Sequence, residues 1–543
     1  MSRERRILKY GGVALAAALL LIITNLAAAS NRTGGIDGAP VVDGFVEALT
    51  LVEANYAGEV DYDRVADAAV SGMLRILDPH SNFYNKEEFL ELRSQQQSEY
   101  FGIGATVVQR QDKVYILAPF ANTPAARAGL RYGDHIVSVN GSSTKGWDSS
   151  KVSTNLKGPR GTQVVVGVER PGEAKPLEFT ISRDAVSLPS IANSYMIKPG
   201  VGYIWLRRQF ARTTGDEIRE AIAKLKPQGI NQLLLDLRDN PGGLVQAALD
   251  VSDTFLSRGQ GILTIKARQG GVSERSFDAR NATPESLPLV VIVNGNSASA
   301  SEIVAGAFQD HDRAIIVGET TFGKGLVQTI FPLSSGTGLT LTTAKYYTPS
   351  GRLIQRDYDS ISRYNYYLRR EEHSNGNGKD TRPQFRTDGG RVVYGGGGIT
   401  PDTIVKARRF SNVQLRLQGP LFLFTRELIH GQMAGLSQYK SSEMNFNHIL
   451  KPEDFAITDK VIEAFKNFLA TTGKEYNLPA SVVNDNLELI KLNMRFEIAT
   501  AAYGTEIAQQ VLIDTDPQVL KAVSELPRAK ELLAKSKQVA ANN

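Results

Sequence analysis

The 543-residue chain contains no cysteine. That excludes disulfides, zinc–cysteine sites and a thiol nucleophile, and it is compatible with an oxidising compartment. Histidine is scarce too, with six copies and no His-Glu-x-x-His or paired spacing. The sequence therefore predicts no metal centre and no cofactor. An excess of one charge is also missing: 62 Lys and Arg face 57 Asp and Glu, a net charge of +5. A small, dispersed excess of this kind argues against a nucleic-acid partner.

What is present is ordinary globular material, 42% apolar and 22% charged. At roughly 100–200 residues per domain the length implies several domains. The N-terminus stands apart. Arg3, Arg5, Arg6 and Lys9 precede an uncharged run over 10–31, whose apolar part, 13–23, leads into Ala27-Ala28-Ala29-Ser30. A basic stretch, an apolar stretch and then small residues describe a secretory signal over 1–30. The run also nearly reaches the ~20 residues that span a bilayer, so retention as an anchor stays open. In both cases the positive-inside rule puts the rest of the chain outside the cytoplasm, on the periplasmic side of a cell envelope. If the run is uncleaved, the N-terminus contacts the membrane.

Residues 31–40 are glycine-rich and read as flexible. Over 40–97 apolar residues recur at helical spacing, as in Phe45, Leu49, Val52 and Tyr56. Leu77-Asp78-Pro79-His80-Ser81 breaks that pattern, and His80 reads as a structural residue of a proline turn. Over 98–185 the texture turns to β. Phe101-Gly102-Ile103-Gly104-Ala105 opens this region, and Pro124-Ala-Ala-Arg-Ala-Gly-Leu-Arg-Tyr-Gly-Asp-His-Ile-Val-Ser-Val-Asn-Gly141 follows. These residues resemble a PDZ domain. Phe101, Gly102, Ile103 and Gly104 would form the loop whose N–H groups converge on a terminal carboxylate, beside an edge strand that accepts a peptide.

Within a core of 190–405, residues 190–350 alternate strand and helix. Strands are expected at 202–206, 232–237, 289–293 and 314–317, and helices at 214–225, 244–257 and 300–309. Apolar strands without alternation imply a sheet covered on both faces, hence an α/β core. Residues 356–398 read as a long surface insertion that is partly mobile, and 411–543 as a helical tail for packing, docking or oligomerisation.

Three segments of the core point to chemistry. In Val291-Ile-Val-Asn-Gly-Asn-Ser-Ala-Ser-Ala-Ser-Glu302, serines 297, 299 and 301 mark a strand-to-helix junction. There a hydroxyl can sit beside free N–H groups, although a capping box with Glu302 explains the same residues. Leu237-Arg-Asp-Asn-Pro-Gly-Gly243 offers glycine N–H groups where an α/β sheet places its sites. Val317-Gly-Glu-Thr-Thr-Phe-Gly-Lys-Gly325 approaches a phosphate loop. It lacks the Ser or Thr after the lysine and the helix that should follow, which argues against nucleotide binding. Lys324 is then free for another task, and a desolvated lysine can serve as a base.

Asp236-Leu-Arg-Asp-Asn-Pro-Gly-Gly243, Asn294-Gly-Asn-Ser-Ala-Ser-Ala-Ser-Glu-Ile303, Gly318-Glu-Thr-Thr-Phe-Gly-Lys-Gly-Leu-Val-Gln328, Tyr347-Thr-Pro-Ser-Gly-Arg352 and Gly398-Ile-Thr-Pro-Asp402 stand in this order. Together they resemble the C-terminal processing peptidases, the S41-type tail-specific serine–lysine proteases, over about residues 40–405. The resemblance, and not the composition, selects Ser299 as nucleophile. It implies Lys324 as base, Gln328 as the residue that orients it, and Gly242, Gly243 and Ala300 as oxyanion donors through their N–H groups. It implies a multidomain α/β and β fold, with a crotonase/Clp-like ββα core carrying an inserted PDZ domain, an N-terminal helical segment and a C-terminal helical extension. Expected partners are protein substrates with free C-terminal tails, and an adaptor or a second copy on 411–543.

Two other readings remain. A non-catalytic scaffold would bind C-termini through the PDZ domain and keep an inert core. A Ser-His-Asp triad would need His311, which lies about 15 Å along the 300–309 helix from Ser299, so a helix C-terminal role is expected for it.

Overall fold

The computed structural model describes residues 39–267, 274–368, 382–441, 443–471 and 473–542. The N-terminal basic–apolar run and most of the glycine-rich stretch lie outside the described residues. Among the described residues no helix is long and apolar enough to cross a membrane. The chain divides into two compact units between Ile76 and Leu77.

In the first unit, helices Ala39–Asn55 and Tyr62–Arg75 are joined by a short turn. The Asp61 carboxylate caps the second by accepting the Arg64 N–H at 3.1 Å. Phe45, Val52 and Tyr56, which carry the helical periodicity, are exposed. The helical expectation for 40–97 needs a correction after residue 75. A strand, Asn82–Tyr84, intervenes before the helix Lys86–Gln96, and both belong to the second unit. Pro79 and the hydrogen bonds that Asp78 accepts from the next residues bend the chain away from a helix.

The second unit is built on a sheet of β1 (Ile191–Lys198), β2 (Val201–Leu206), β3 (Gln232–Asp236), β6 (Leu289–Val293), β7 (Ile315–Gly318) and β10 (Thr403–Ile404), in the order β1-β2-β3-β6-β7-β10. All neighbours after β1/β2 run parallel. The register aligns Asp236 with Ile292 and Val293 with Gly318, so three turns leave one edge of the sheet together. A second, antiparallel sheet contains β4 (Gly261–Ala267), β5 (Arg275–Asp278), β8 (Leu326–Pro332) and β9 (Gly338–Tyr347), with strand Asn82–Tyr84 on β9.

The strands lack alternation because both faces of the first sheet are covered. Leu233, Leu235, Val291 and Val293 meet helices α1 (Thr214–Leu225), α2 (Val245–Phe255) and α3 (Ala300–Asp310). Tyr203, Leu234, Val290 and Ile292 meet Val519, Ala522, Leu526 and Ala529 of the C-terminal helix α6 (Pro517–Asn542). Part of the tail is thus core: α6 covers one face of this sheet.

The PDZ-like region has the sheet order 105–110, 113–119, 135–139, 163–169, 177–182, which leaves Ala105–Arg110 as an edge strand beside helix Ser149–Leu156. Its far side is not free. Tyr115 and Tyr132 are buried against helices α4 (Asn412–Ile429) and α5 (Leu487–Tyr503). The Tyr132 hydroxyl donates to buried Glu497 at 2.8 Å.

The described part of the 356–398 stretch is mostly exposed, as in Tyr364 and Tyr367, but it is anchored at a few buried points. Tyr366 is fully buried and Arg356 nearly so, and a hairpin pairs Gln384–Arg386 with Val392–Tyr394. Arg391 binds Asp312 at 2.5 Å and also reaches Asp402. The anchors are Tyr366, whose ring meets His80, Phe322 and Tyr367 edge-on, and Arg391, which finds the buried carboxylates of Asp312 and Asp402. Residues 369–381 lie outside the described residues.

Candidate active site

The three serines separate by environment. The buried Ser297 Oγ donates to the Leu237 carbonyl at 2.8 Å and accepts the Asn294 N–H at 3.0 Å. The buried Ser301 Oγ donates to the Asn240 carbonyl at 3.1 Å. Ser299 alone is partly exposed and lines a cavity of about 310 Å³. It begins α3 with φ +52° and ψ −110°, a conformation in which a residue with a Cβ is strained. The cap is therefore at Ser299, and Ser301 ties α3 to the 237–243 turn.

Lys324 lies beyond the end of β7, past Thr321, whose hydroxyl donates to Glu302 of α3. Burial pushes its amine down to about 8, against weaker opposing pulls from Glu302 and Asp78. Among the described residues its ammonium has no hydrogen bond or ion pair. A strand, β8, follows it, so no helix N-terminus waits for a phosphate. A Cβ on Gly318 would lie 2.0 Å from the Val293 carbonyl oxygen, which explains that glycine by strand packing alone.

Glu302 joins the two segments. Its carboxylate is fully buried and accepts the Ser299 N–H at 2.8 Å, the Lys324 N–H at 2.9 Å, the Gly323 N–H at 2.7 Å and the Thr321 hydroxyl at 2.5 Å. Burial pushes its pKa up, and these four donors pull it back. From the other side the Tyr346 hydroxyl of β9 reaches the Ser299 carbonyl at 3.1 Å and the Lys324 carbonyl at 2.9 Å. The capping-box spacing pointed to Glu302; nothing in the sequence pointed to Tyr346.

The 237–243 turn approaches Ser299 closely. Gly242 has φ +97°, and a Cβ there would meet the Ala298 carbonyl oxygen at 2.7 Å and Ser299 Cβ at 2.8 Å. The Gly242 N–H is already bound to Asn240 Oδ1 at 2.8 Å. Among the described residues the N–H groups of Gly243 and Ala300 have no acceptor. Of the three expected donors, these two are available to a bound group.

The same cavity is lined by His80, Gln209, Gly242, Gly243, Lys324 and Gln328. Gln328 Nε2 donates to Thr342 Oγ1 at 3.2 Å and makes no bond to Lys324. His80 keeps its place in the turn, its N–H bound to Asp78, and its ring also faces the cavity. Its Nε2 meets the Tyr366 hydroxyl at 2.7 Å, and its ring lies edge-on to Phe322. Burial first, and Lys324 second, hold its pKa at about 3, so it stays neutral. Its partner Tyr366 is 286 residues away in sequence, too far for any local signal. His311 binds Asp388 at 2.7 Å and the Gly261 carbonyl at 2.7 Å, at the far end of α3, so no triad forms with Ser299.

Phe101, Gly102, Ile103 and Gly104 lie in the PDZ-like region, outside this cavity. Phe101 and Gly102 pair with Ala185 and Asp184, and the Ile103 carbonyl accepts the Ala125 N–H at 2.7 Å. Larger cavities, of about 390 and 420 Å³, lie among the C-terminal helices and hold no serine–lysine pair. Among the described residues no group of three His, Asp or Glu side chains is arranged to hold a metal ion.

The chain is similar to known proteins in two of its regions. Residues 200–360 match Peptidase family S41, and residues 102–182 match the PDZ domain. The chain is 38% identical over 316 residues to the carboxy-terminal-processing protease of Bartonella bacilliformis, covering 57% of this chain and 72% of that protein. It is 32% identical over 343 residues to the carboxy-terminal processing protease CtpA of Bacillus subtilis, covering 63% and 72%. It is 39% identical over 294 residues to the carboxyl-terminal-processing protease of Synechocystis, covering 53% and 68%. With its PDZ domain and S41 core, the chain belongs to peptidase family S41, among the carboxy-terminal-processing proteases.

Proposed function

We propose that this protein is a serine endopeptidase that takes hold of the C-terminal tail of a protein through its PDZ domain and cuts it with Ser299 and Lys324. The observation that carries the reading is the pairing of the one cavity-facing serine with an unpaired, desolvated amine, joined through Glu302. Neutral Lys324 takes the Ser299 hydroxyl proton as Oγ attacks the scissile carbonyl. The N–H groups of Gly243 and Ala300 hold the oxyanion. The tetrahedral intermediate collapses, and the C–N bond breaks as the lysine proton passes to the leaving nitrogen. Water then attacks the acyl-enzyme, with Lys324 again accepting a proton. Gln328 lines the cavity beside the amine and orients it once substrate enters.

The edge strand Ala105–Arg110 supports tail recognition, since a peptide can add to it while its carboxylate meets the 101–104 loop. The finer parts of the fold reading, a crotonase/Clp-like core and a cell-envelope location, stay with this proposal. The second rests on the N-terminal residues alone.

The test uses an unfolded reporter that ends in free apolar residues and the same reporter amidated at its C-terminus. Cleavage of the first, with much slower cleavage of the second and none by Ser299→Ala, is expected. Equal cleavage of both removes tail recognition. Binding without cleavage leaves the scaffold reading.

A further inference from the structure

The segment that carries Gly243 is fastened at its other end to the C-terminal extension. Asp236, fully buried at the end of β3, accepts the Tyr203 hydroxyl at 2.7 Å and the Arg238 guanidinium at 2.6 Å. The remaining arm of that guanidinium, Nη1, crosses to Asp516 Oδ2 at 2.7 Å and Gln518 Oε1 at 2.9 Å. Asp516 Oδ1 in turn caps α6, accepting the Gln518 N–H at 2.8 Å and the Val519 N–H at 3.2 Å. Gln518 Nε2 donates to the Val405 carbonyl at 2.8 Å. With Val519, Ala522, Leu526 and Ala529 buried on the sheet, the start of α6 is a fixed point.

We infer that Asp516 is a positioning residue for the catalytic site, holding the 236–243 segment through Arg238 and so setting where the Gly243 N–H points. The inference rests on the reading of Gly243 as an oxyanion donor.

A clamp is needed there. Asp239, next to Arg238, has φ +61°, a left-handed conformation that a non-glycine residue keeps only when its surroundings impose it. One side of the segment is held by the nucleophile turn: Asn294 and Asn296 both donate to Asp239 Oδ1, and the Asn240 carbonyl accepts the Ala298 N–H. Arg238 is the hold on the other side, and its second anion comes from the tail. Without Asp516 the guanidinium keeps Asp236 and the neutral Gln518 Oε1 but loses its charged partner at the start of α6, and Asp239 can relax. Geometry at the cavity then depends on residues far beyond the 200–360 stretch that matches the peptidase family.

Asp516→Ser in the full-length chain separates this role from simple folding. Serine still caps α6 but is too short to reach Arg238. The expected result is an unchanged KM and unchanged PDZ binding of a C-terminal peptide. The kcat, and the rate at which a fluorophosphonate labels Ser299, should both fall about ten- to a hundredfold, as small misplacements do. Asp516→Asn, whose single oxygen can serve Arg238 or the α6 cap but not both, should recover part of both rates. Arg238→Lys, which can hold Asp236 but cannot also span to Asp516, is the second variant and should repeat the loss if the first does not fold. Wild-type rates in either folded variant overturn the positioning role. If the wild-type chain itself does not label at Ser299, the hydrolase reading fails instead.

Discussion

Ser299 and Lys324 are tied to each other through their backbones: Glu302 Oε2 accepts the N–H of both, and the Tyr346 hydroxyl touches the carbonyl of both. The proton transfer proposed for the pair therefore does not rely on two independent loops drifting into register. Tyr346→Phe should take a donor from the Lys324 carbonyl, while the Ser299 carbonyl keeps the Glu302 and Ile303 N–H groups, and cost about 1 kcal/mol of stability. It should also lower kcat several-fold at little change in KM, because substrate does not touch this hydroxyl. Glu302→Gln should be more severe in both respects, since the amide turns a donor toward N–H groups that need an acceptor. Urea melts and steady-state kinetics on the two variants check this; unaltered kcat in a folded Tyr346→Phe chain would leave the bridge without a catalytic role.

The pH dependence follows from Lys324. Its amine must be neutral to accept the Ser299 proton, and burial holds its pKa at about 8. Activity should therefore rise with pH through that value, falling about tenfold per unit below it. The neighbouring His80 cannot supply that limb, because it stays neutral down to about pH 3. His80→Ala should nevertheless move the limb to higher pH, since it lets water reach the lysine and weakens the desolvation that lowers its pKa. A limb fixed near 8 in that variant would mean His80 plays no part in excluding water.

The serines give a sharper contrast. Ser299→Ala should abolish turnover and cost about 1 kcal/mol of stability, the worth of its cap on α3. Ser301→Ala removes the bond to the Asn240 carbonyl and Ser297→Ala the bond to the Leu237 carbonyl. Each should cost about 1–2 kcal/mol and leave activity within a few-fold of wild type. A Ser301 variant as inactive as the Ser299 one would reassign the nucleophile.

Much of this architecture could be read in the sequence, for identifiable reasons. Strands such as Leu289–Val293 are apolar at every position, and the junction at Ser299 carries its Glu302 partner three residues on, so local pattern was enough. Local pattern fails where the partner is remote. Nothing near Tyr346 or His80 hints that one bridges Ser299 and Lys324 and the other lines the same cavity. The apolar strands implied a cover on both faces, yet the second cover, α6, begins 200 residues later in a tail that looked separate. In the tyrosine- and glycine-rich 356–398 stretch, mostly exposed where described, composition gave no sign of its buried anchors, Tyr366 and the grip of Arg391 on Asp312.

The PDZ domain is seated on the C-terminal helices by a polar contact inside an apolar interface, and that contact predicts its own pH signature. Tyr132 is fully buried and donates to Glu497, which lies among Leu421, Ile490, Met494 and Ile498. Burial pushes the Glu497 carboxyl up, and the hydroxyl pulls it part of the way back. Tyr132→Phe removes that pull, so the ionised carboxylate is left buried with less support, at a cost of about 2 kcal/mol at neutral pH. The sign follows from linkage. A carboxyl whose folded pKa lies above its unfolded value loses stability as pH rises through the folded pKa, and the penalty is absent below the unfolded value near 4.3. The variant should thus melt well below wild type at pH 8, and the gap should narrow as the pH falls toward 4. A gap that is constant across that range would mean that Glu497 is protonated throughout and that the loss is one of packing alone.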